Sequence, residues 1–157
     1  EFGANVGLNL IAVKGLIPGV AATAIEINSS AISKLKMIDD VKVIHGSILE
    51  SNKIEMYDLA MVIGVLIHIA PKYLPIVYEN IYRATRRYIL IGEYYSRQPE
   101  EVSYRGYKNR LFKRDFAGEM LDKYTNLRLV DYGFFYHKDE SSNLDDITWF
   151  LMEKADI

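Results

Sequence analysis

The chain has 157 residues, half of them hydrophobic and a quarter charged, enough for one domain with a substantial core. Its formal net charge of -2 draws it neither to nucleic acid nor to an anionic membrane surface. With no cysteine, disulfides, thiolate metal sites and a cysteine nucleophile are excluded, and three His offer little to a zinc site, so no metal is expected.

Glu1-Phe2-Gly3-Ala4-Asn5-Val6-Gly7 reads as the end of a strand running into a tight, glycine-bearing turn. Such a turn lets backbone N–H groups approach a ligand closely. A helix should follow to about Leu16, stopped by Pro18-Gly19. Val20 to Ile27 is a short apolar strand containing Glu26, and Asn28-Ser29-Ser30 caps a helix over Ala31 to Ile38. Val41 to Ile44 is a third strand, followed by His45-Gly46-Ser47, and Tyr57 to Ile63 is a fourth, entered through Asp58. The longest apolar run, Leu59 to Ile69, is too short to span a bilayer and is broken by Gly64, so a cytoplasmic location is the default.

Pro71 and Lys72 open a helix whose apolar positions Leu74, Val77, Ile81 and Ala84 recur at helical spacing. Arg87 to Glu93 is a fifth strand. Near-continuous apolar strands alternating with helices predict an α/β fold with a mostly parallel sheet covered on both faces. Tyr94 to Arg114 reads as a long loop with little periodicity, carrying six basic residues against two acidic ones and interleaved with aromatics. Asp115 to Tyr124 is a helix. Leu127 to Tyr136 and Ile147 to Glu153 are strands joined as an antiparallel hairpin, and Tyr132 to Tyr136 and Trp149 read as strand core. His45 and His137 read as surface residues.

The informative spacing is Gly7 to Glu26, nineteen residues. In nucleotide-binding α/β folds the first turn cradles the polar part of the ligand, and an acidic residue ending the second strand accepts from both ribose hydroxyls. The alternative is a surface carboxylate favoured by a helix N-terminus. A dinucleotide site calls for G-x-G-x-x-G, whereas this chain has G-x-x-x-G with Glu1 ahead of it. That form resembles the first motif of class I S-adenosylmethionine-dependent methyltransferases, E/D-x-G-x-G-x-G, with Ala4 and Asn5 as departures. The acidic end of the second strand, the Gly46-Ser47 turn, Asp58 and the closing antiparallel pair agree with it. EFGANVGLNL, IGVLIHIAPKYL and YRGYKNRLFKRDFAGEMLDKY further resemble methyltransferases associated with pseudaminic acid and related surface-sugar biosynthesis.

The resemblance implies a Rossmann-like methyltransferase sheet with helices on both faces. Its first strand is cut short here, so a single methyltransferase domain lacking an N-terminal segment is expected. It also implies S-adenosylmethionine as cofactor. Glu1, Gly3, Ala4 and Gly7 would surround its methionine part, Glu26 would hold the ribose, and Ile27 would pack on the adenine. Ser47 and Ile48 N–H would face the adenine edge, and Ile63 and Gly64 would line the cofactor beside the reactive methyl.

A hydroxyl acceptor needs a base. His68, after the fourth strand, is the first candidate, with a structural His as the alternative. Glu93, ending the fifth, is the second, with a loop-anchoring carboxylate as the alternative. Tyr95, Arg97, Tyr104, Arg105 and Arg110 on the Tyr94–Arg114 segment are candidates for binding a small acceptor, sugar-linked for preference, because tyrosines stack on rings and arginines grip phosphate or carboxylate. The same interleaving serves single-stranded nucleic acid. A nucleic-acid methyltransferase and a cofactor-binding domain without turnover therefore stand as alternatives.

Overall fold

The computed structural model describes residues 1–50, 54–104, 106–141 and 144–155, and of Tyr104 and residues 107–109 only the backbone. The chain divides into two compact units, Glu1–Glu55 and Met56–Ile157.

In the first unit, α1 (Leu8–Leu16) follows the glycine turn, and β1 (Ala22–Glu26), α2 (Ser29–Leu35) and β2 (Val41–His45) form a right-sized βαβ module with parallel strands. Phe2 bridges Ile25 in parallel, so the opening residues run alongside β1. Asn28, within the expected capping segment, is the N-cap of α2: its Oδ1 accepts from Ser30 N (2.9 Å) and Ala31 N (3.4 Å). The helix therefore begins at Ser29, two residues before the expected Ala31, and ends at Leu35. Ala24, Ile25, Ala31, Ile32 and Leu35 are buried.

The second unit is built on a four-stranded sheet of order β3-β4-β8-β7. Here β3 (Tyr57–Ile63) and β4 (Thr85–Glu93) are parallel, and α3 (Leu74–Arg83) connects them. A 3₁₀ turn at Pro71–Tyr73 leads into α3, which buries Leu74, Val77, Tyr78 and Ile81 at i, i+3, i+4 and i+7. Each such side chain contributes about 1.5–3 kcal/mol on burial. After the helix α4 (Phe116–Lys123), the strands β7 (Leu127–Phe135) and β8 (Ile147–Lys154) pair antiparallel, and β8 pairs antiparallel with β4. The last strand in sequence thus lies between two earlier ones.

Two expectations are corrected. Tyr94–Arg114 is not an irregular loop: β5 (Glu100–Tyr104) and β6 (Tyr107–Lys113) form an antiparallel hairpin with Gly106 at its turn (φ 81°). Its apolar residues are clustered rather than alternating, since Leu111 and Phe112 are adjacent and both buried, so strand periodicity is masked. The aromatic run of β7 is not core. Tyr132 and Phe134 on β7 and Tyr136 just after it are exposed, and among the described residues β7 lies at the end of the strand order. Among the described residues, no helix is long and apolar enough to cross a membrane.

Candidate functional site

In the first unit the opening turn is shaped by three positive φ angles, Gly3 at 70°, Asn5 at 48° and Gly7 at 85°. Asn is one of the few side chains that adopts this region readily, which is why it can stand between the glycines. Gly3 N and Ala4 N both donate to Ile25 O (2.8 and 3.1 Å), and Gly7 N donates to Ala4 O (2.9 Å). Gly7 caps α1 without a side chain; a Cβ there would stand 2.5 Å from Ile38 Cδ1 and 2.8 Å from Leu35 Cδ2.

The structure brings the turn and Glu26 together. Glu26 ends β1 and is buried, not a surface carboxylate. Its Oε2 accepts from Asn5 N (2.7 Å), and its Oε1 accepts from Ile27 N (2.8 Å) and Asn28 N (2.7 Å). A carboxylate offers about four lone-pair sites, so these bonds leave capacity for another donor. Glu1 Oε1 accepts from Asn9 Nδ2 (2.7 Å), while Glu1 Oε2 is buried with no hydrogen-bond partner. Burial pushes the Glu1 carboxyl above the usual range. An orphaned acceptor beside a glycine turn fits a cationic or N–H-bearing ligand group, since leaving it unpaired costs about 1–3 kcal/mol. Asn9, which fixes the other oxygen, is a candidate that the sequence does not single out. Ile27 is largely exposed, Ile48 is buried, and Ser47 Oγ accepts from Leu49 N (3.2 Å). His45 is exposed and its Nε2 lies 3.2 Å from Ile27 O.

In the second unit β3 ends at Ile63, and Gly64, with φ 66°, donates its N–H to Gly92 O of β4 (2.8 Å). Glu93, at the end of β4, is 3% exposed. Its Oε1 accepts from Val65 N (2.9 Å) and Leu66 N (2.8 Å), and its Oε2 from Ile67 N (3.4 Å). This is the loop-anchoring geometry. Burial pushes the Glu93 carboxyl up to about 7, against the downward pull of the three amides. The anchored segment runs into a 3₁₀ turn, Leu66–His68, whose last residue is exposed. His68 Nδ1 lies 2.9 Å from Arg110 O of β6. A carbonyl only accepts, so Nδ1 carries the hydrogen and Nε2 is the basic nitrogen of the neutral ring.

Of the predicted acceptor residues, Tyr95 is half exposed, Arg97 is exposed, and Arg110 meets His68 through its carbonyl. Arg105 and the Tyr104 side chain lie outside the described residues. Tyr95 also lines a shallow depression, too tight to admit a water molecule, with Ile91, Glu93, Arg114, Phe116, Ala117, Thr148 and Phe150. Arg114, Thr148 and Phe150 were not singled out by sequence. The register of β8 against β4, Glu93 opposite Thr148 and Ile91 opposite Phe150, reveals the latter two, and a parallel bridge with Tyr95 brings Arg114 there. His137 is exposed and pairs with Asp146 (2.9 Å).

No family model matches the chain, and no curated protein matches it. Solved structures do. The N1-methyltransferase of 1,6-didemethyltoxoflavin from Burkholderia thailandensis, solved with S-adenosylhomocysteine and 1,6-didemethyltoxoflavin, superposes with a TM-score of 0.76 at 16% identity, over 99% of this chain and 69% of that one. TehB from Haemophilus influenzae gives 0.71 at 18% identity, over 98% of this chain; this chain spans 56% of that protein. The magnesium protoporphyrin IX methyltransferase from Synechocystis, with S-adenosylmethionine bound, gives 0.70 at 11% identity, over 98% of this chain and 67% of that one. The fold is the Rossmann-like fold of S-adenosylmethionine-dependent methyltransferases, closed by an antiparallel pair.

Proposed function

We propose that this chain transfers a methyl group from S-adenosylmethionine to a small polar acceptor, a sugar or sugar nucleotide for preference. The observation that carries the reading is the opening turn, where a buried Glu1 oxygen without a partner stands in the same unit as a buried Glu26 tied to the turn through Asn5 N. Support comes also from the fold and from the cofactors bound in proteins of that fold. The preference for a sugar rests on the sequence resemblance and on the aromatic and basic Tyr94–Arg114 segment. The bound cofactor supplies an electrophilic methyl on a sulfonium.

Glu1 accepts from the ammonium of the methionine part, which lies against the turn formed by Gly3, Ala4 and Gly7. Glu26 uses its remaining lone-pair capacity on a ribose hydroxyl, with its orientation already fixed by three amide donors. Ile27 offers an exposed apolar face to the adenine, with Ser47 and Ile48 N–H at the adenine edge. Alignment and exclusion of water can provide most of the acceleration in such a displacement. His68 Nε2 is the base that takes the proton of an acceptor hydroxyl. Glu93, whose oxygens hold the Val65–Ile67 amides, positions the segment that carries His68.

Calorimetry with S-adenosylhomocysteine tests the reading: the chain should bind it, and absence of binding would overturn methyl transfer. In the same assay Glu26→Ala should weaken binding roughly tenfold or more, about the value of a hydrogen bond to a charged group. Unchanged affinity would remove Glu26 from the ribose.

A further inference from the structure

A strand at the end of a sheet offers unpaired N–H and C=O groups on its outer side, and proteins blunt such an edge with charges, prolines or bulges. β7 carries these devices on its first half alone. Arg128 is paired with Glu153 (2.6 Å), and Val130 stands in a bulge, since Leu129 pairs with Met152 and Asp131 with Leu151. From Tyr132 to Tyr136 there is no charge, no proline and no bulge. Among the described residues no strand pairs with that outer edge. Tyr132, Phe134 and Tyr136 alternate along the chain and so stand on one face of the sheet. They are 65%, 59% and 48% exposed, and the Phe134 and Tyr136 rings lie 6.3 Å apart, centroid to centroid.

This half of the strand is complementary to its own copy. Outward-turned backbone groups alternate with inward-turned ones, so an antiparallel strand pairs with its copy about a residue, never about the peptide between two. Centring the pair on Tyr132 sets the bulged Val130 against Phe134. Centring it on Gly133 sets two glycines together and Asp131 against Phe135. Centring it on Phe134 sets Phe134 against itself, Tyr132 against Tyr136 and Gly133 against Phe135, so every ring meets a ring or a glycine. That register also brings Asp131 to the turn that holds His137 and Lys138 of the second copy, where the exposed Lys138 supplies a cation. The neighbouring Asp139 is turned back on its own loop, where Oδ1 accepts from Ser141 N (2.9 Å) and Oγ (2.6 Å).

We infer that the outer edge of β7 is an interface between two copies of this chain, paired antiparallel about a two-fold axis at Phe134. The four-stranded sheet of one copy then continues into that of the other, and six rings cover one another on one face. An aromatic side chain buries about 150–250 Å² in full, so six of them, half exposed here, supply about 700 Å². With the strand edges added the contact reaches about 1,000 Å², the size at which specific interfaces begin, and association falls in the micromolar range. The interface holds whether or not the chain transfers methyl groups.

Sedimentation velocity of the whole chain across the micromolar range should show a monomer passing into a dimer. Phe134→Lys removes the central ring and sets like charges on the axis, and should raise the dissociation constant roughly tenfold or more. Leu16→Lys, at an exposed apolar position of the first unit, should leave it unchanged. The chain has no cysteine, so single cysteine substitutions map the register. Phe134→Cys places two thiols directly opposite, and mild oxidation should link the copies. Tyr132→Cys should not link, because its counterpart lies four residues along the second strand, about 13 Å away, and a disulfide needs Cα atoms within about 7 Å. Circular dichroism verifies that the variants keep the fold. A chain that stays monomeric throughout overturns the interface. So does a dimer that Phe134→Lys weakens no more than Leu16→Lys, or one that Tyr132→Cys links as readily as Phe134→Cys.

Discussion

Glu93 holds a titratable group where water does not reach it, and its consequence is a pH dependence of stability. The carboxyl is raised from 4.5 to about 7 in the folded chain, chiefly by burial. A carboxyl raised by folding binds its proton more tightly folded than unfolded, so its contribution is fully present below about pH 4.5. It is lost as pH rises to about 7, about 3 kcal/mol over that window at about 1.4 kcal/mol per unit. Urea midpoints of the native chain and of Glu93→Gln at pH 5 and pH 7.5 measure it: the native chain should lose more stability on going to pH 7.5. Parallel shifts in the two would show that Glu93 is not the source. Of the individual residues, Glu26 was legible because an acidic residue follows the glycine turn by a set distance. Its three amide partners were not, since they depend on Asn5 adopting a left-handed conformation, which no spacing encodes. Glu93 was legible as a strand-end carboxylate, but both of its readings stayed open until the Val65–Ile67 amides were placed.

At the scale of elements, β7 and β8 are fitted to one another through a small-to-large match. A Cβ at Gly133 would stand 2.6 Å from the Trp149 indole Nε1, and Gly133 lies directly opposite Trp149. Gly133→Ala must move the indole or the strand, and overpacking of this kind costs about 1–3 kcal/mol. Trp149 is the single tryptophan, so its fluorescence reports both the displacement and the unfolding transition. An unaltered midpoint and emission would mean the strand gives way freely. The helices were recognisable by different signals. The buried face of α3 follows from Leu74, Val77 and Ile81, whereas α1 was bounded only by Gly7 and Pro18, because Leu8, Ile11 and Leu16 are apolar yet exposed and blur its buried side. The β5–β6 hairpin is hidden for the opposite reason: charged residues surround Leu111 and Phe112, its adjacent buried positions, and break the strand alternation.

For the whole chain, alternating strands and helices were enough to call a parallel α/β fold, and the closing antiparallel pair agreed with it. Strand order was not readable, because the neighbours of β8 are residues 55 to 65 positions and 12 to 27 positions away, and pairing over such distances is decided by packing rather than local pattern. Ligand binding should register globally. At a hundredfold excess over its Kd, S-adenosylhomocysteine adds about 2.7 kcal/mol, which is a rise in Tm of about 5–10 °C for a chain of this length. Scanning calorimetry that finds no rise at saturating ligand contradicts the cofactor assignment, whatever the acceptor.

The position of β8 has a further consequence for how the second unit comes to be made. During synthesis β4 and β7 emerge before β8, the strand Ile147–Lys154 that lies between them in the folded sheet. A ribosome that has reached residue 140 holds a nascent chain with two incomplete strand edges, one of them aromatic-rich, and no partner for either. Residues 147–154 close both edges at once. The interval before they emerge is when this chain most needs a chaperone, and stop codons placed there should yield aggregates rather than partly active fragments.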